Sequence, residues 1–290
     1  MQAFSYVSAK SVSEASAILA QEGDNAKVLS GGTDIIVQLR EGRRSAQVVV
    51  DVKAIPELNE LSFDAASGLT IGAAVPMHRI YGDAKLAALY PGLMDSATLI
   101  GGTAIQGRAT LGGNVCTASP AGDSLPTLIA LSARCVVAAP GGTREIAIEN
   151  FFAGPGRTVL QKGELLVAFK LPAPQPNSGA SYLRFIPRNE MDIAVVSAGV
   201  WVQLSADKST FTAARIALGA VAPTPLFVAE AGAALVGQPV GAAAIQAAGE
   251  AAKAAARPIS DMRGSAEQRK HLAAVMTRRA LEIAVDRARA

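Results

Sequence analysis

Val28-Leu29-Ser30-Gly31-Gly32-Thr33-Asp34 runs from a short apolar strand into paired glycines and then into a helix start. Glycine has no Cβ, so the turn can tighten and its backbone can approach a ligand closely. Successive N–H groups in such a turn converge on an anion, helped by the following helix N-terminus, and the Thr33 hydroxyl offers one more donor. A tight strand–helix turn without a ligand reads the same way at this level. Working outward, Phe4-Ser5-Tyr6-Val7 reads as a strand. Ser11-Val12-Ser13-Glu14 matches a capping box, with Val12, Ala15, Ile18 and Leu19 on one helical face. Gln47-Val48-Val49-Val50-Asp51-Val52 reads as a buried strand, so the spacing predicts a small βαβαβ-like unit ending near Pro56.

A second glycine-dense stretch is longer: Gly107-Arg108-Ala109-Thr110-Leu111-Gly112-Gly113-Asn114-Val115-Cys116-Thr117-Ala118-Ser119-Pro120-Ala121-Gly122-Asp123. It reads as a paired glycine turn flanked by Thr110 and Asn114, with Thr117, Ser119 and Asp123 ahead of a helix from about Asp123 to Ala133. Hydroxyls and amides suit phosphate oxygens, and an acidic acceptor suits a sugar or ribityl hydroxyl. The bland alternative is a polar loop in which Ser119 or Asp123 only caps the helix. Neither stretch carries G-x-G-x-x-G after a strand or G-x-x-x-x-G-K-[ST], so nothing supports a Rossmann or P-loop site. Two phosphate-type cradles would suit a diphosphate held between two subdomains. Strands are predicted over Leu69 to Ala74, Cys135 to Ala138, Arg144 to Ile148 and Leu165 to Leu171, with helical segments from His78 to Ile100.

Pro172-Ala173-Pro174-Gln175-Pro176-Asn177-Ser178-Gly179 is the clearest linker. Beyond it, Ser181 to Phe185, Ile193 to Leu204 and Phe211 to Val221 are long enough for an antiparallel sheet. Three helices follow, among them the alanine-rich Gly241 to Ala256. Strands first and helices afterwards predict a separate α+β domain.

Composition narrows the chemistry. With 290 residues, 50% of them hydrophobic and 18% charged, the chain can bury a core. Its net charge of +3 is small, and the basic stretch Arg263 to Arg279 is interrupted by Glu267, which argues against nucleic-acid binding. Met1 to Tyr6 lacks a basic region followed by an apolar run, and Leu125 to Pro140 is broken by Pro126 and Arg134, so neither a secretory signal nor a transmembrane segment is expected. A cytoplasmic location follows, with Cys116 and Cys135 both free. Two cysteines and two histidines, His78 and His271, are too few for an iron–sulfur cluster or a zinc site housed in this chain alone. His78 after Pro76 reads as a surface residue, since no nucleophile–base pair accompanies it. Trp201 and its valine neighbours read as sheet core.

Taken in order, Ser30-Gly31-Gly32-Thr33-Asp34, Ala109-Thr110-Leu111-Gly112-Gly113-Asn114 and Ala118-Ser119-Pro120-Ala121-Gly122-Asp123 resemble the FAD-binding medium subunit of the xanthine dehydrogenase and carbon monoxide dehydrogenase (molybdenum hydroxylase) family. Glu164-Leu165-Leu166, Tyr182-Leu183-Arg184-Phe185, Arg188, Asp192-Ile193-Ala194 and Ala217 to Pro225 extend the similarity nearly end to end. The resemblance implies an α+β fold: a PCMH-type FAD-binding domain over 1–177, with two α/β subdomains of about 1–56 and 57–177. A C-terminal domain over 178–290 would hold a three-stranded antiparallel sheet and helices. It implies that Val28, Leu29, Ser30, Gly31, Gly32, Thr33, Asp34 and Ile35 wrap the FAD diphosphate. Thr110, Leu111, Gly112, Gly113 and Asn114 would form the second cradle, with Thr117 beside it. Asp123 would bind ribityl or adjoining hydroxyls, and Ile100 and Leu165 would lie against the rings. Arg184 stands where relatives carry Lys near the flavin edge, and a guanidinium presents its donors differently.

The implied assembly is a dimer of heterotrimers. A large subunit would hold the molybdenum cofactor, a small subunit two 2Fe-2S clusters, and this chain would pass electrons through FAD to an external acceptor. Some relatives carry an extra 4Fe-4S loop, for which this chain lacks the cysteines. Cys116 is expected to pack beneath the second cradle. Two other readings stay open: a self-sufficient PCMH-type flavin oxidoreductase, and a non-redox nucleotide-binding scaffold. The helices of the last block would suit docking to the partners.

Overall fold

The computed structural model describes residues 2–188 and 191–290. Its first unit runs β1 (Ser5–Ser8), α1 (Val12–Glu22), β2 (Ala26–Leu29), α2 (Ile35–Arg40), β3 (Val48–Asp51). The strands form a sheet in the order β1-β3-β2, with both pairs parallel. Successive residues Val49 and Val50 of the central strand are both buried. That is the pattern of a strand covered on two faces, and it explains why the Val48-Val49-Val50 run carries no alternation. The Ser11 hydroxyl accepts from the Glu14 N–H at 3.1 Å and caps α1. The Glu14 carboxylate accepts from the Lys10 N–H at 2.7 Å, so the predicted box closes one residue earlier than the usual pattern.

The second unit starts with β4 (Leu61–Asp64) and β5 (Gly68–Gly72). Six short helices follow: α3 (Met77–Tyr81), α4 (Ala84–Leu89), α5 (Pro91–Ala97), α6 (Thr103–Gln106), α7 (Leu111–Thr117) and α8 (Ser124–Ala130). Then come β6 (Arg134–Ala139), β7 (Gly142–Ala147), the small hairpin β8 (Phe152–Gly154) and β9 (Arg157–Thr158), and β10 (Leu165–Leu171). The five-stranded sheet has the order β4-β5-β10-β6-β7, and every pair is antiparallel. The second unit therefore differs in kind from the first, because its strands pair antiparallel throughout and hairpins join β4 to β5 and β6 to β7. β10 lies at the centre, and its run Leu165-Leu166-Val167-Ala168-Phe169 is wholly buried. The sequence pattern missed β4, whose four residues leave too short an alternation to register. The predicted helix over 123–133 stops at Ala130, because Ser132 turns left-handed at φ 56° on the way into β6.

The third unit contains β11 (Ser178–Phe185), β12 (Val196–Leu204), β13 (Phe211–Gly219), β14 (Leu226–Phe227), α9 (Ala229–Ala233), α10 (Ala242–Ala255) and α11 (Ala266–Arg289). The antiparallel order is β11-β12-β13-β14, so a two-residue strand adds to the three that were expected. One strand also starts late: Ile193 to Val195 lie outside β12.

Two large apolar clusters form. One joins the first two units, and the other lies between the C-terminal sheet and α9 to α11. Gly199 of β12 rests on the backbone of α8, where a Cβ would run into Pro126. The clusters are further bolted by Arg287 of α11, which donates to both Asp95 carboxylate oxygens at 2.6 and 2.9 Å and to the Ala180 carbonyl at 2.7 Å. Among the described residues, no helix is long and apolar enough to cross a membrane.

Candidate functional site

The loop Ser30–Asp34 leaves β2 at the carboxyl end of the parallel sheet, where crevices form in open α/β folds. It walls a cleft of about 560 Å³, within the usual size of a small-molecule site. Among the described residues, the backbone N–H groups of Ser30, Gly31, Gly32, Thr33 and Asp34 donate to no protein acceptor. Nearly all backbone amides in a fold are paired, so a consecutive bare run at a cleft wall needs an acceptor from outside the chain. Gly32 supports the geometry with φ +82°, a left-handed conformation that a larger residue resists. Gly31 serves the fold instead: a Cβ there would run into the carbonyl oxygen of Arg108, on the second glycine-dense stretch.

The two stretches are stitched across the cleft. Ser30 Oγ and Thr110 Oγ1 share a hydrogen bond at 3.0 Å, Arg108 Nε donates to the Gly31 carbonyl at 3.3 Å, and Thr117 Oγ1 donates to Asp34 Oδ2 at 3.1 Å. Asp34 Oδ2 also accepts from Gln38 Nε2 at 2.6 Å, which fixes the carboxylate at the start of α2.

The second stretch departs from its expected form. Gly112 and Gly113 make no turn; they sit in the first turn of α7, which Thr110 caps by accepting the Gly113 N–H at 3.0 Å. The Gly112 N–H donates to the Ala73 carbonyl at 3.1 Å, and the Asn114 N–H to the Thr110 carbonyl at 3.0 Å. These amides are therefore engaged within the fold. The stretch offers the cleft its hydroxyls, the Asn114 amide and close glycine surfaces. Asn114 is held in place because its Oδ1 accepts from Ser124 Oγ at 2.6 Å.

Of the expected residues, Val28, Ser30 to Ile35, Ile100, Thr110, Gly112, Gly113, Asn114, Thr117 and Leu165 line the cleft. Four lie elsewhere. Leu29 packs under the first sheet with Leu39, Ala46 and Val49, and Leu111 is in the main core, because a strand or helix that presents one residue to a cleft turns its neighbour inward. Asp123 and Arg184 are outside the lining and hold each other. Asp123 accepts from Tyr182 Oη at 2.6 Å and Arg184 Nη1 at 2.8 Å, and all three side chains are buried. Burial raises the Asp123 carboxyl above its ordinary range against the opposing pull of Arg184 and Tyr182. This trio braces the start of α8 against β11.

Several lining residues escaped the sequence reading. Lys27, Arg44 and Glu164 supply charge, while Ile105, Leu166 and Ile193 add apolar surface. Lys27 and Leu166 could have been found by extending the strands that carry Val28 and Leu165; Arg44 and Ile193 reach the cleft only through tertiary folding. Cys116, expected to pack beneath the cradle, opens its side chain into the cleft. The cleft is itself deep-set, and burial pushes this thiol up to about 12, so it is a neutral wall atom at ordinary pH.

Bare amides, hydroxyls and apolar faces dominate this lining. Such a site defines a protein that binds and orients a phosphate-bearing cofactor. Residues 2–174 match the FAD binding domain in molybdopterin dehydrogenase, and residues 181–284 match the CO dehydrogenase flavoprotein C-terminal domain. A putative xanthine dehydrogenase FAD-binding subunit of Escherichia coli is 32% identical over 97% of this chain and 96% of its own. The carbon monoxide dehydrogenase medium chain of Afipia carboxidovorans is 33% identical over 99% and 98%. The structure of carbon monoxide dehydrogenase from Hydrogenophaga pseudoflava superposes with a TM-score of 0.94 at 33% identity, covering 99% of this chain and 98% of that one. The chain belongs to the family of FAD-binding subunits of molybdopterin-dependent dehydrogenases, and it is an oxidoreductase subunit. FAD is its cofactor, and the bare amides of Ser30–Asp34 fit the diphosphate of that molecule.

Proposed function

We propose that this chain relays electrons from the 2Fe-2S clusters of a small partner subunit, through FAD, to an external acceptor. A large molybdenum-cofactor subunit would oxidise the substrate and feed those clusters. The observation that carries this reading is the run of unpartnered amides from Ser30 to Asp34 on the cleft wall. Bound FAD supplies redox chemistry that accepts electrons singly or in pairs.

The residues of this chain bind and orient. The amides of Ser30 to Asp34 hold the diphosphate, while Thr110 and Asn114 face it from α7, each fixed by a partner hydrogen bond. Ile100, Leu165 and Ile193 present apolar faces to the flat rings and exclude water there. Of the expected contacts, Leu29 and Leu111 act through their backbones only, and Asp123 and Arg184 act by bracing α8. The FAD-binding domain is taken to end at 177 and the C-terminal domain to begin at 178.

The test is to purify the chain with and without its partners and follow the flavin spectrum. The expected result is a yellow preparation that the substrate bleaches only when the partners are present. Bleaching by a small organic substrate without them would make this a self-sufficient flavin oxidoreductase. A colourless folded chain that retains no FAD after desalting would leave only a nucleotide-binding scaffold.

A further inference from the structure

Asn114 is the amide side chain that α7 brings to the cleft, and an amide has two unlike ends. Its oxygen accepts hydrogen bonds, while its nitrogen carries two donors. An anionic phosphate is met well by the donors and badly by the oxygen. A contact behind the cleft wall decides which end looks inward.

That contact is Ser124. Its Oγ donates to Asn114 Oδ1 at 2.6 Å, the length of an O–H···O bond; a turned-over amide would place an N–H there, and such bonds are longer, at about 2.9 Å. With the oxygen committed to Ser124, the end that the Asn114 amide can turn to the cleft is its pair of N–H donors. Ser124 opens α8 and is wholly buried, so water cannot stand in for a lost hydroxyl. Gly122 keeps the space open, since a Cβ there would come within 3.3 Å of Asn114 Oδ1.

The C-terminal unit holds Ser124 where this contact needs it. Its chain neighbour Asp123 is gripped by Tyr182 and Arg184 of β11. Ahead of it, the Pro120 carbonyl accepts the Ala220 N–H at 2.7 Å, and behind it Pro126 lies against Gly199 of β12. The backbone on both sides of Ser124 is therefore clamped from one sheet. A hydroxyl on so fixed a backbone keeps its direction, and a supporting contact of that kind gives a binding group its geometry.

We propose that Ser124 is a positioning residue for the cofactor: it fixes the polarity of the Asn114 amide, so that this wall meets the FAD diphosphate with N–H donors. The proposal rests on the reading above, in which the diphosphate lies between Ser30–Asp34 and α7. Asn114 touches the cofactor, and Ser124 acts through it. Without the Ser124 hydroxyl, the amide keeps its oxygen buried and unpaired or rolls over and turns that oxygen to the phosphate. Both outcomes weaken binding.

The experiment titrates full-length apoprotein with FAD for the wild type, Ser124→Ala, Asn114→Ala and the double variant. Ser124→Ala is expected to weaken FAD binding about tenfold in the wild-type background, and by less than about twofold when residue 114 is already alanine. A serine that only supported α8 would cost the same in both backgrounds; that result, or unchanged affinity in Ser124→Ala, overturns the proposal. Asn114→Asp keeps an acceptor for Ser124 but sets a second one where the donors stood. It is expected to lose more affinity than Asn114→Ala, and an equal or smaller loss overturns the donor contact with the diphosphate. If Ser124→Ala yields no folded apoprotein, Ser124→Cys, which keeps the shape and weakens the donor, takes its place in the same cycle under the same criterion. Wild-type affinity in Asn114→Ala would mean that this side chain does not meet the cofactor, which removes the α7 half of the reading above together with the proposal. A loss in Asn114→Ala that is uncoupled from Ser124 leaves that reading in place and removes the proposal alone.

Discussion

Gly31 and Gly113 both face the crossing of the two glycine-dense stretches, yet they tolerate a methyl group very differently. At Gly31 an added Cβ runs into the Arg108 carbonyl, a backbone atom that cannot move without displacing the second stretch. At Gly113 the nearest atom is Thr110 Oγ1 at 3.0 Å, the end of a side chain. Overpacking against backbone typically destabilises by about 1–3 kcal/mol. Gly31→Ala should therefore lose roughly tenfold or more in FAD affinity, corresponding to about 1.4 kcal/mol, and Gly113→Ala several-fold less. Flavin retention after desalting and titration of apoprotein with FAD would measure both. Equal losses would mean that Gly31 owes its place to the ligand alone.

Asp51 makes a second residue-scale prediction. Burial opposes its ionisation most strongly, but hydrogen bonds from Lys53 and Tyr6 outweigh that effect and hold the carboxyl below its ordinary range. Tyr6 Oη and Lys53 Nζ donate to Asp51 Oδ2 at 2.5 and 2.6 Å. A folded pKa below the unfolded value stabilises the fold above about pH 4, and that contribution disappears as pH falls through the folded pKa. The melting temperature of the wild-type chain should therefore drop between pH 5 and 3 more than that of Asp51→Asn. Parallel curves would show that this carboxylate is not coupled to folding.

At the scale of the element, α7 is too short to persist by itself, since helices of one or two turns depend on their surroundings. Its start rests on Thr110, which accepts the Gly113 N–H and also bonds Ser30 across the cleft. Loss of an N-cap typically costs about 1 kcal/mol, so Thr110→Val should lower stability by about that amount and weaken FAD binding as well. Thr110→Ser keeps the hydroxyl and should restore both. Amide exchange at Gly113 would report the cap separately from the cofactor, and slow exchange in Thr110→Val would count against it.

Over the whole molecule, the two apolar clusters are joined at several polar points: Asp123 with Tyr182 and Arg184, Arg215 with Glu149 and the Ile129 carbonyl, and Arg287 with Asp95 and the Ala180 carbonyl. The pair is partly exposed, but the bidentate geometry and the carbonyl contact set it apart from an ordinary surface ion pair. Arg287→Ala should lower the melting temperature by a few degrees and broaden or split a single calorimetric transition, with FAD retained in the first-melting species only if the N-terminal units unfold last. A sharp transition at the wild-type temperature would mean that the clusters unfold together without this bolt.

Local pattern was enough to read the parallel first unit, because Val48-Val49-Val50, Ser11 to Glu14 and the Ser30–Asp34 turn each carry their own conformational signal. It was enough for the long strands β10 to β13, and for the Ser30–Asp34 wall of the cleft, since short apolar runs and paired glycines need no distant partner to be recognised. The sequence alone could not reveal that Gly112 and Gly113 open a helix, because Thr110 and Ala73 decide where their amides go. Nor could it show that Asp123 and Arg184 would hold each other, or that Ile193 and Arg44 would line the cleft. Backbone preference acts over neighbouring residues and is written in the chain; the choice of partner for a buried charge or a free amide depends on which groups packing brings within reach, and only the tertiary structure makes that choice.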